Sequence, residues 1–303
     1  MTLPHESEQR FLTDGGLETT LVFLDGIDLP AFAAFPLLDR EDGRAALRRY
    51  FVSYLDIAAQ HGLPFVLDTP TWRANADWGP DLGYDHDDLR AVNRRAVEFA
   101  RELAAGFPTV SSLLNGVIGP RGDGYVADSL MTASESAEYH SLQTEAFAEA
   151  GVDLITAVTM TYSAEAIGIC VGAREVHVPV VISFTVETDG RLLSGEELGA
   201  AIESVDEATD ATPTYFMVNC AHPTHFTATL REGSDWTQRI KAVRANASPR
   251  SHAELDEATE LDRGDLAELA ALYAQLDELV DLRVVGGCCG TDHEHIAAIA
   301  KNL

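Results

Sequence analysis

Short apolar runs alternate along the chain with longer segments in which apolar residues recur at three- and four-residue intervals. The first pattern suits buried parallel strands and the second amphipathic helices, so their alternation predicts repeated βα units. Eight runs read as strands: 11–13, 64–68, 112–117, 154–158, 178–184, 215–219, 240–245 and 283–286. Helical periodicity covers 45–60, 87–105, 133–149, 164–174, 195–209, 222–231, 263–279 and 293–301. Eight strands, each followed by a helix, predict a (β/α)8 TIM barrel in 303 residues. The barrel takes the whole chain as one domain, with residues 1–10 a short N-terminal extension. The competing architecture is an open doubly wound sheet, but the first strand lacks the Gly-x-Gly-x-x-Gly helix entrance that would favour it. The polar, acidic stretch 247–262 reads as a loop excursion.

Composition narrows the partners more than the fold. Formal net charge is -28, from 49 acidic and 21 basic residues. So negative a surface repels nucleic acid and anionic membranes. The acidic residues are dispersed along helical segments, which reads as a solvated coat. Four cysteines in so long a chain make no disulfide framework. Residues 1–10 are polar and acidic with no apolar leader, and no run is long enough to span a bilayer, so a soluble cytoplasmic protein is expected. Homo-oligomerisation is left open.

In a barrel, chemistry gathers where strands end. Asp14-Gly15-Gly16 ends the first strand, Asp68-Thr69 the second, Asn219-Cys220 the sixth and Gly287-Cys288-Cys289-Gly290 the eighth. Topology therefore brings positions 14, 220 and 288 to one rim. Adjacent cysteines point to opposite sides of a strand, so both are poor core filler, and the flanking glycines suggest a special backbone path that would let both face one ion. Three thiolates suit one Zn²⁺ and leave its fourth position open. Spacing alone leaves zinc binding and burial as small hydrophobes both open, because a C-x-x-C pair is missing. Cys170, inside a helical run, reads as core. His222 and His225 follow Cys220 and read as the start of a helix rather than as extra ligands.

Three further features carry two readings each. The run Asp14-Gly15-Gly16-Leu17-Glu18-Thr19-Thr20 is either a tight turn with Thr19 or Thr20 capping a helix, or a site. As a site, its glycine N–H groups would hold a carboxylate, and Asp14 and Glu18 an ammonium. Gly116, Gly119, Gly122 and Gly124 lack the Lys-Ser/Thr ending of a phosphate loop and read instead as a barrel loop that lets chain or ligand approach closely. Trp72, Trp78 and Tyr84, near Arg73, either pack in a loop or line a pocket for a sulfonium or quaternary ammonium group.

Taken together, the motifs resemble the homocysteine S-methyltransferase family. The matching pieces are Asp14-Gly15-Gly16 with Thr19, Asp153-Leu154-Ile155, Ser183-Phe184, Leu193-Ser194-Gly195, Val218-Asn219-Cys220 and Gly286-Gly287-Cys288-Cys289-Gly290-Thr291. They run in the family's order over nearly the whole chain. The resemblance implies a zinc-binding barrel with Cys220, Cys288 and Cys289 as ligands. It implies that Asp14, Gly15 and Gly16 hold the amino-acid end of a thiol substrate, with Glu18, Thr19 and Asn219 beside them. One departure stands out. Where family members usually carry a glutamate that grips the homocysteine ammonium, this chain has Val158. An apolar side chain cannot pair an ammonium. Either Glu18 supplies the carboxylate or the thiol is not homocysteine.

The expected activity is zinc-dependent transfer of a methyl group from a small sulfonium or betaine-type donor to a thiol, with homocysteine giving methionine as the leading case. The length leaves no room for a cobalamin module, which favours S-methylmethionine or S-adenosylmethionine as donor. The alternatives are a zinc hydrolase acting on a different substrate and a barrel that only binds zinc or thiols. Three thiolates make zinc a poor acid for hydrolysis.

Overall fold

The computed structural model describes residues 2–127 and 130–302. Eight parallel strands close into a barrel in sequence order. They are β1 (Phe11–Leu12), β2 (Phe65–Asp68), β3 (Ser112–Ile118), β4 (Leu154–Met160), β5 (Val180–Phe184), β6 (Tyr215–Asn219), β7 (Ile240–Ala245) and β8 (Val284–Gly287). The ring shuts where Phe11 pairs with Val284 and Leu12 with Val285. The main helices are α1 (Glu41–His61), α2 (His86–Ala105), α3 (Ala133–Ala150), α4 (Ser163–Glu175), α5 (Leu198–Thr209), α6 (Pro223–Glu232), α7 (Leu266–Asp277) and α8 (His293–Ala300). The open-sheet alternative is thereby excluded. No helix among the described residues is long and apolar enough to cross a membrane.

Two apolar layers follow from the two-residue period of the strands. Phe11, Val66, Leu113, Val181, Met217, Ala242 and Val284 point into the barrel. Their neighbours Leu12, Leu67, Leu114, Ile182, Phe216, Val243 and Val285 point outward, to the layer shared with the helices. The N-terminal segment reaches this inner layer from below, where Leu3 packs against it and the His5 ring lies 6.2 Å from that of Tyr215.

One step further toward the C-terminal rim, the inward positions become polar. Asp68, Asn115, Thr156, Ser183, Asn219 and Arg244 occupy them, all but Arg244 buried and Arg244 nearly so. Asn115 Nδ2 donates to Asp68 at 2.7 Å, Thr156 Oγ1 to Asn115 at 2.9 Å and Ser183 Oγ to Asn219 Oδ1 at 2.5 Å. Arg244 is the hub. Its Nη2 donates to Asp14 at 2.5 Å, its Nη1 donates to Asp68, and its Nε donates to the Gly287 carbonyl at 3.0 Å. Four strand ends, those of β1, β2, β7 and β8, are tied by one side chain.

Several predicted boundaries move. Helix α1 starts at Glu41 rather than 45, and α5 and α7 start at Leu198 and Leu266, three residues late. The stretch predicted as a loop excursion contains a short helix, His252–Asp256, capped by Ser251. Its loose hydrophobic pattern hid that turn. Strand β1 is only two residues long because Thr13 and Asp14 already belong to the rim.

Two outcomes test this frame. Arg244→Leu removes the counter-charge from two buried carboxylates and is expected to cost about 3–5 kcal/mol in urea unfolding; a loss under about 1 kcal/mol would contradict the hub role. Asp292 caps α8 by accepting from Glu294 N and His295 N. Burial pushes its carboxyl up, but hydrogen bonding to His295 and the charges of His295 and Arg263 outweigh that and hold it at about 2. A depressed pKa stabilises the fold above the ordinary value of 3.8 and stops doing so as pH falls through 2. Asp292→Ala should therefore cost about 1–2 kcal/mol at neutral pH. The difference from the wild type should shrink as the pH of the melt approaches 2.

Candidate metal centre and its pocket

The three rim cysteines meet. Their sulfur atoms all lie within 4.8 Å of one another, and Cys220 Sγ is 3.6 Å from Cys289 Sγ. Two thiolates on one tetrahedral Zn²⁺, each at about 2.3 Å, would be about 3.8 Å apart. All three are free thiols. The set therefore fits a soft metal in number, chemistry and spacing.

Local backbone makes this convergence. Cys220 has φ 56°, a left-handed conformation that a side chain disfavours. Its carbonyl accepts from Asn246 Nδ2 at 2.9 Å, from His252 Nε2 at 2.7 Å and from Thr185 Oγ1 at 3.3 Å, which holds the strained residue in place. After β8 the chain turns tightly. Thr291 N and Oγ1 donate to the Cys288 carbonyl at 3.1 Å and 2.7 Å, and Gly290 takes φ 79°. The turn takes the adjacent cysteines out of strand alternation, so both sulfurs face Cys220. Hydrogen bonds from Cys220 and Cys289, helped by the Arg244 charge, outweigh burial and hold the Cys288 thiol well below its ordinary range.

The Asp14-Gly15-Gly16 turn is the seat for this thiol turn. A Cβ on Gly16 would come within 2.6 Å of the Cys288 carbonyl, and one on Gly15 within 2.9 Å of the Thr291 carbonyl. Only glycine allows that approach. Thr19 Oγ1 donates to the Gly16 carbonyl at 3.1 Å and accepts from Gly290 N at 3.3 Å, so it ties the two turns together. It ends the short helix Leu17–Thr19 and does not cap it; Gly16 holds the cap position, without a side-chain bond. Asp14 is committed to Arg244, to Tyr50 Oη at 2.9 Å and to Thr13 Oγ1 at 3.0 Å.

A cavity of about 430 Å³ opens from the sulfur atoms to the surface. Asp14, Gly15, Gly16, Glu18, Thr19 and Asn219 all line it. Glu18 is half-buried. Burial, then the negative charges of Cys288 and Asp14, push its carboxyl up to about 7. Asn219 faces the cavity but also braces its wall. Its Oδ1 accepts from Thr159 N at 2.8 Å and its Nδ2 donates to Thr159 Oγ1 at 3.0 Å, which steadies a second left-handed residue (φ 62°). Val158, just before it, belongs to the cavity wall. No carboxylate from β4 reaches this position.

Other expectations sort themselves. Cys170 is fully buried in α4, away from the metal group. His222 caps α6, held near pKa 4 by burial and His225, while His225 Nε2 lies 2.9 Å from the Pro249 carbonyl. Trp72 lines the cavity, and Arg73 lies over Trp72 at 4.5 Å and over Trp78 at 3.7 Å, so the protein supplies its own cation to these rings. Tyr84 packs on Phe35 instead. In the glycine loop, a Cβ on Gly119 would meet the Trp72 carbonyl at 2.3 Å, so that loop is shaped to pass over the indole.

Sequence reasoning missed three parts of the site. Arg244 shares the parity of Ala242 on β7, and that parity was the available signal for an inward charge. Tyr125 carries none: its hydroxyl lies 3.4 Å from Cys220 Sγ and donates to Cys289 Sγ at 3.3 Å, while its ring stacks on His252 at 4.4 Å. The excursion 247–262 also roofs the cavity, through Leu255, Ala258 and Leu261 among others.

A model of the homocysteine S-methyltransferase family matches residues 11–303. The chain is 29% identical over 271 residues to a methionine synthase of Mycobacterium leprae, and 29% identical over 253 residues to that of Mycobacterium tuberculosis. These alignments take in 84% and 78% of this chain, which spans only 20% of either relative's length. It is 22% identical to homocysteine S-methyltransferase 1 of Brassica oleracea var. italica, over 96% of this chain and 93% of that protein. In three dimensions it resembles the homocysteine methyltransferase MmuM of Escherichia coli. The TM-score is 0.80 for the oxidized form, at 21% identity over 100% of both chains. For the metallated form it is 0.76, at 19% identity over 99% of this chain and 98% of that one. With that family model running from the first strand to the last helix, the chain belongs to the homocysteine S-methyltransferase family.

Proposed function

We propose that this protein is a zinc-dependent thiol S-methyltransferase. The observation that carries the reading is the group of three sulfurs, Cys220, Cys288 and Cys289, gathered at the barrel mouth and open to the cavity. Zn²⁺ held there by the three cysteines would keep an incoming thiol in its nucleophilic thiolate form near neutral pH. A three-thiolate set is a weak Lewis acid, which suits alkylation of sulfur better than activation of water.

The chain's own residues do the rest. Arg244 neutralises Asp14 and Asp68 beneath the site, so the anionic sulfurs do not face two further bare carboxylates. Glu18 offers the cavity a carboxylate for an ammonium group, the task that Val158 cannot perform. Thr159 and Asn219 form the wall that sets the depth of the cavity, and the 247–262 segment limits water above it. In the reaction the methyl carbon's bond to the donor sulfur breaks as its bond to the acceptor sulfur forms. The donor leaves as a neutral thioether, and the acceptor's proton passes to solvent. Homocysteine is the leading acceptor, with methionine as product, and a small sulfonium is the leading donor.

Cys288→Ala and Cys289→Ala should each lose stoichiometric zinc by elemental analysis and lose methyl transfer by mass spectrometry. Full zinc occupancy in both variants would remove the basis of the proposal. So would failure of every thiol in an acceptor screen to gain a methyl group on zinc-loaded protein. The ammonium assignment predicts that Glu18→Gln raises the KM for homocysteine roughly 10-fold or more, the effect of losing one charge-assisted hydrogen bond. Val158→Glu should lower that KM; no change in either variant would point to an acceptor without an ammonium group.

A further inference from the structure

Two arginines line the cavity, and they differ in one respect. Each nitrogen of Arg244 has an acceptor: Asp14, Asp68, and the carbonyls of Gly15 and Gly287 take its donors. That is not so of Arg73. It is 8% exposed, and its Nε is buried without an acceptor. Its ion-pair partner is Asp123, at 3.3 Å through Nη2, and the Asp123 side chain is 45% exposed. The indole N–H groups of Trp72 and Trp78 beside it are likewise buried without acceptors. Of these three donors short of acceptors, Arg73 and Trp72 line the cavity, whose remaining ionisable groups are acidic, among them Glu18, Asp256 and Glu260. Leaving such donors unpaired is costly.

We propose that Arg73 is the specificity-determining residue that reads a carboxylate on a substrate in this cavity. Nη2 donates to Asp123 and Nε beside it is buried without an acceptor; replacing Asp123 by a ligand carboxylate would give both donors of that edge an oxygen, in a bidentate pair. The Trp72 and Trp78 rings hold its plane, so little side-chain freedom remains to be lost on binding. Asp123 neutralises Arg73 in part between turnovers, and because it is solvent-exposed, exchanging it for a ligand carboxylate costs little. Burial pushes the Arg73 pKa down while Asp123 pushes it back up, the behaviour of a charge only partly compensated. Glu18 and Arg73 then give the cavity one group of each sign, which suits an amino-acid zwitterion. The acidic walls repel anions that fail to reach Arg73. The inference rests on the methyltransferase reading, and the carboxylate can belong to the acceptor or to the donor.

The test is calorimetric binding to zinc-loaded protein, with two ligand pairs. L-homocysteine is compared with 3-aminopropane-1-thiol, and S-methyl-L-methionine with (3-aminopropyl)dimethylsulfonium; each second compound lacks only the carboxylate. The wild type is expected to prefer the carboxylate-bearing member of one pair by roughly 10- to 100-fold. Arg73→Gln should abolish that preference and Arg73→Lys should keep part of it, with far-UV circular dichroism verifying the fold. The pair that responds identifies the source of the carboxylate. A wild type with no preference in either pair overturns the proposal, as does a preference that survives in Arg73→Gln. Should Arg73→Gln not fold, Arg73→Lys decides: an ammonium lacks the planar fork, so an unchanged preference sinks the idea. Because calorimetry needs no turnover, absence of methyl transfer with the preference intact would refute the methyltransferase reading and leave the carboxylate assignment standing.

Discussion

The rim of this barrel depends on Arg244. A charged side chain inside a barrel is a liability unless it is paired, and here each guanidinium nitrogen has an acceptor among two carboxylates and two backbone carbonyls. The pairing works in both directions. Without Arg244, Asp14 and Asp68 would be desolvated anions beside three thiols; without them, Arg244 would be a desolvated cation. The geometric consequence matters as much as the charge. Because Arg244 bonds to groups at the ends of β1, β2 and β8 from its own place on β7, it fixes the seam where the barrel closes. The cysteine turn hangs from that seam.

The sulfurs converge through two kinds of backbone exception. Cys220 adopts a left-handed conformation, and the Cys288-Cys289 turn leaves strand geometry at a place where Gly15 and Gly16 let it settle against the first strand. Neither exception is stable in isolation. The Cys220 carbonyl is held by side chains from the residue just after β5, from the loop after β7 and from the short helix beyond it. Asn219 performs the same service for Thr159 across the barrel. The polar layer beneath the site is thus scaffolding for strained residues, and it explains why inward positions change from apolar to polar within one strand step.

Electrostatics give the cavity its chemical character. The chain as a whole is strongly acidic, with net charge -28, and the cavity walls share that bias. Against it stand two guanidinium groups, one spent on structure and one held with donors to spare. The first is tied to the Asp14-Gly15 turn and to Gly287, just before the cysteine turn. The second lies among the aromatic residues after β2, on the cavity wall.

Much of the fold was legible from one sequence. The two-residue and three-to-four-residue periods are imposed by strand and helix geometry, so apolar spacing determined the eight βα units and, with them, which residues sit at strand ends. The three cysteines were legible for the same reason, since their strands end at one rim. Tertiary structure alone decided the rest. Whether Asp14 would meet a ligand or a protein cation depended on Arg244, 230 residues away. Tyr125 reached the sulfurs, and 247–262 roofed the cavity, through loops whose paths no local periodicity encodes. Hydrophobic spacing is a property of neighbours along the chain; the pairing of buried charges is a property of neighbours in space, and only the closed barrel brings those together.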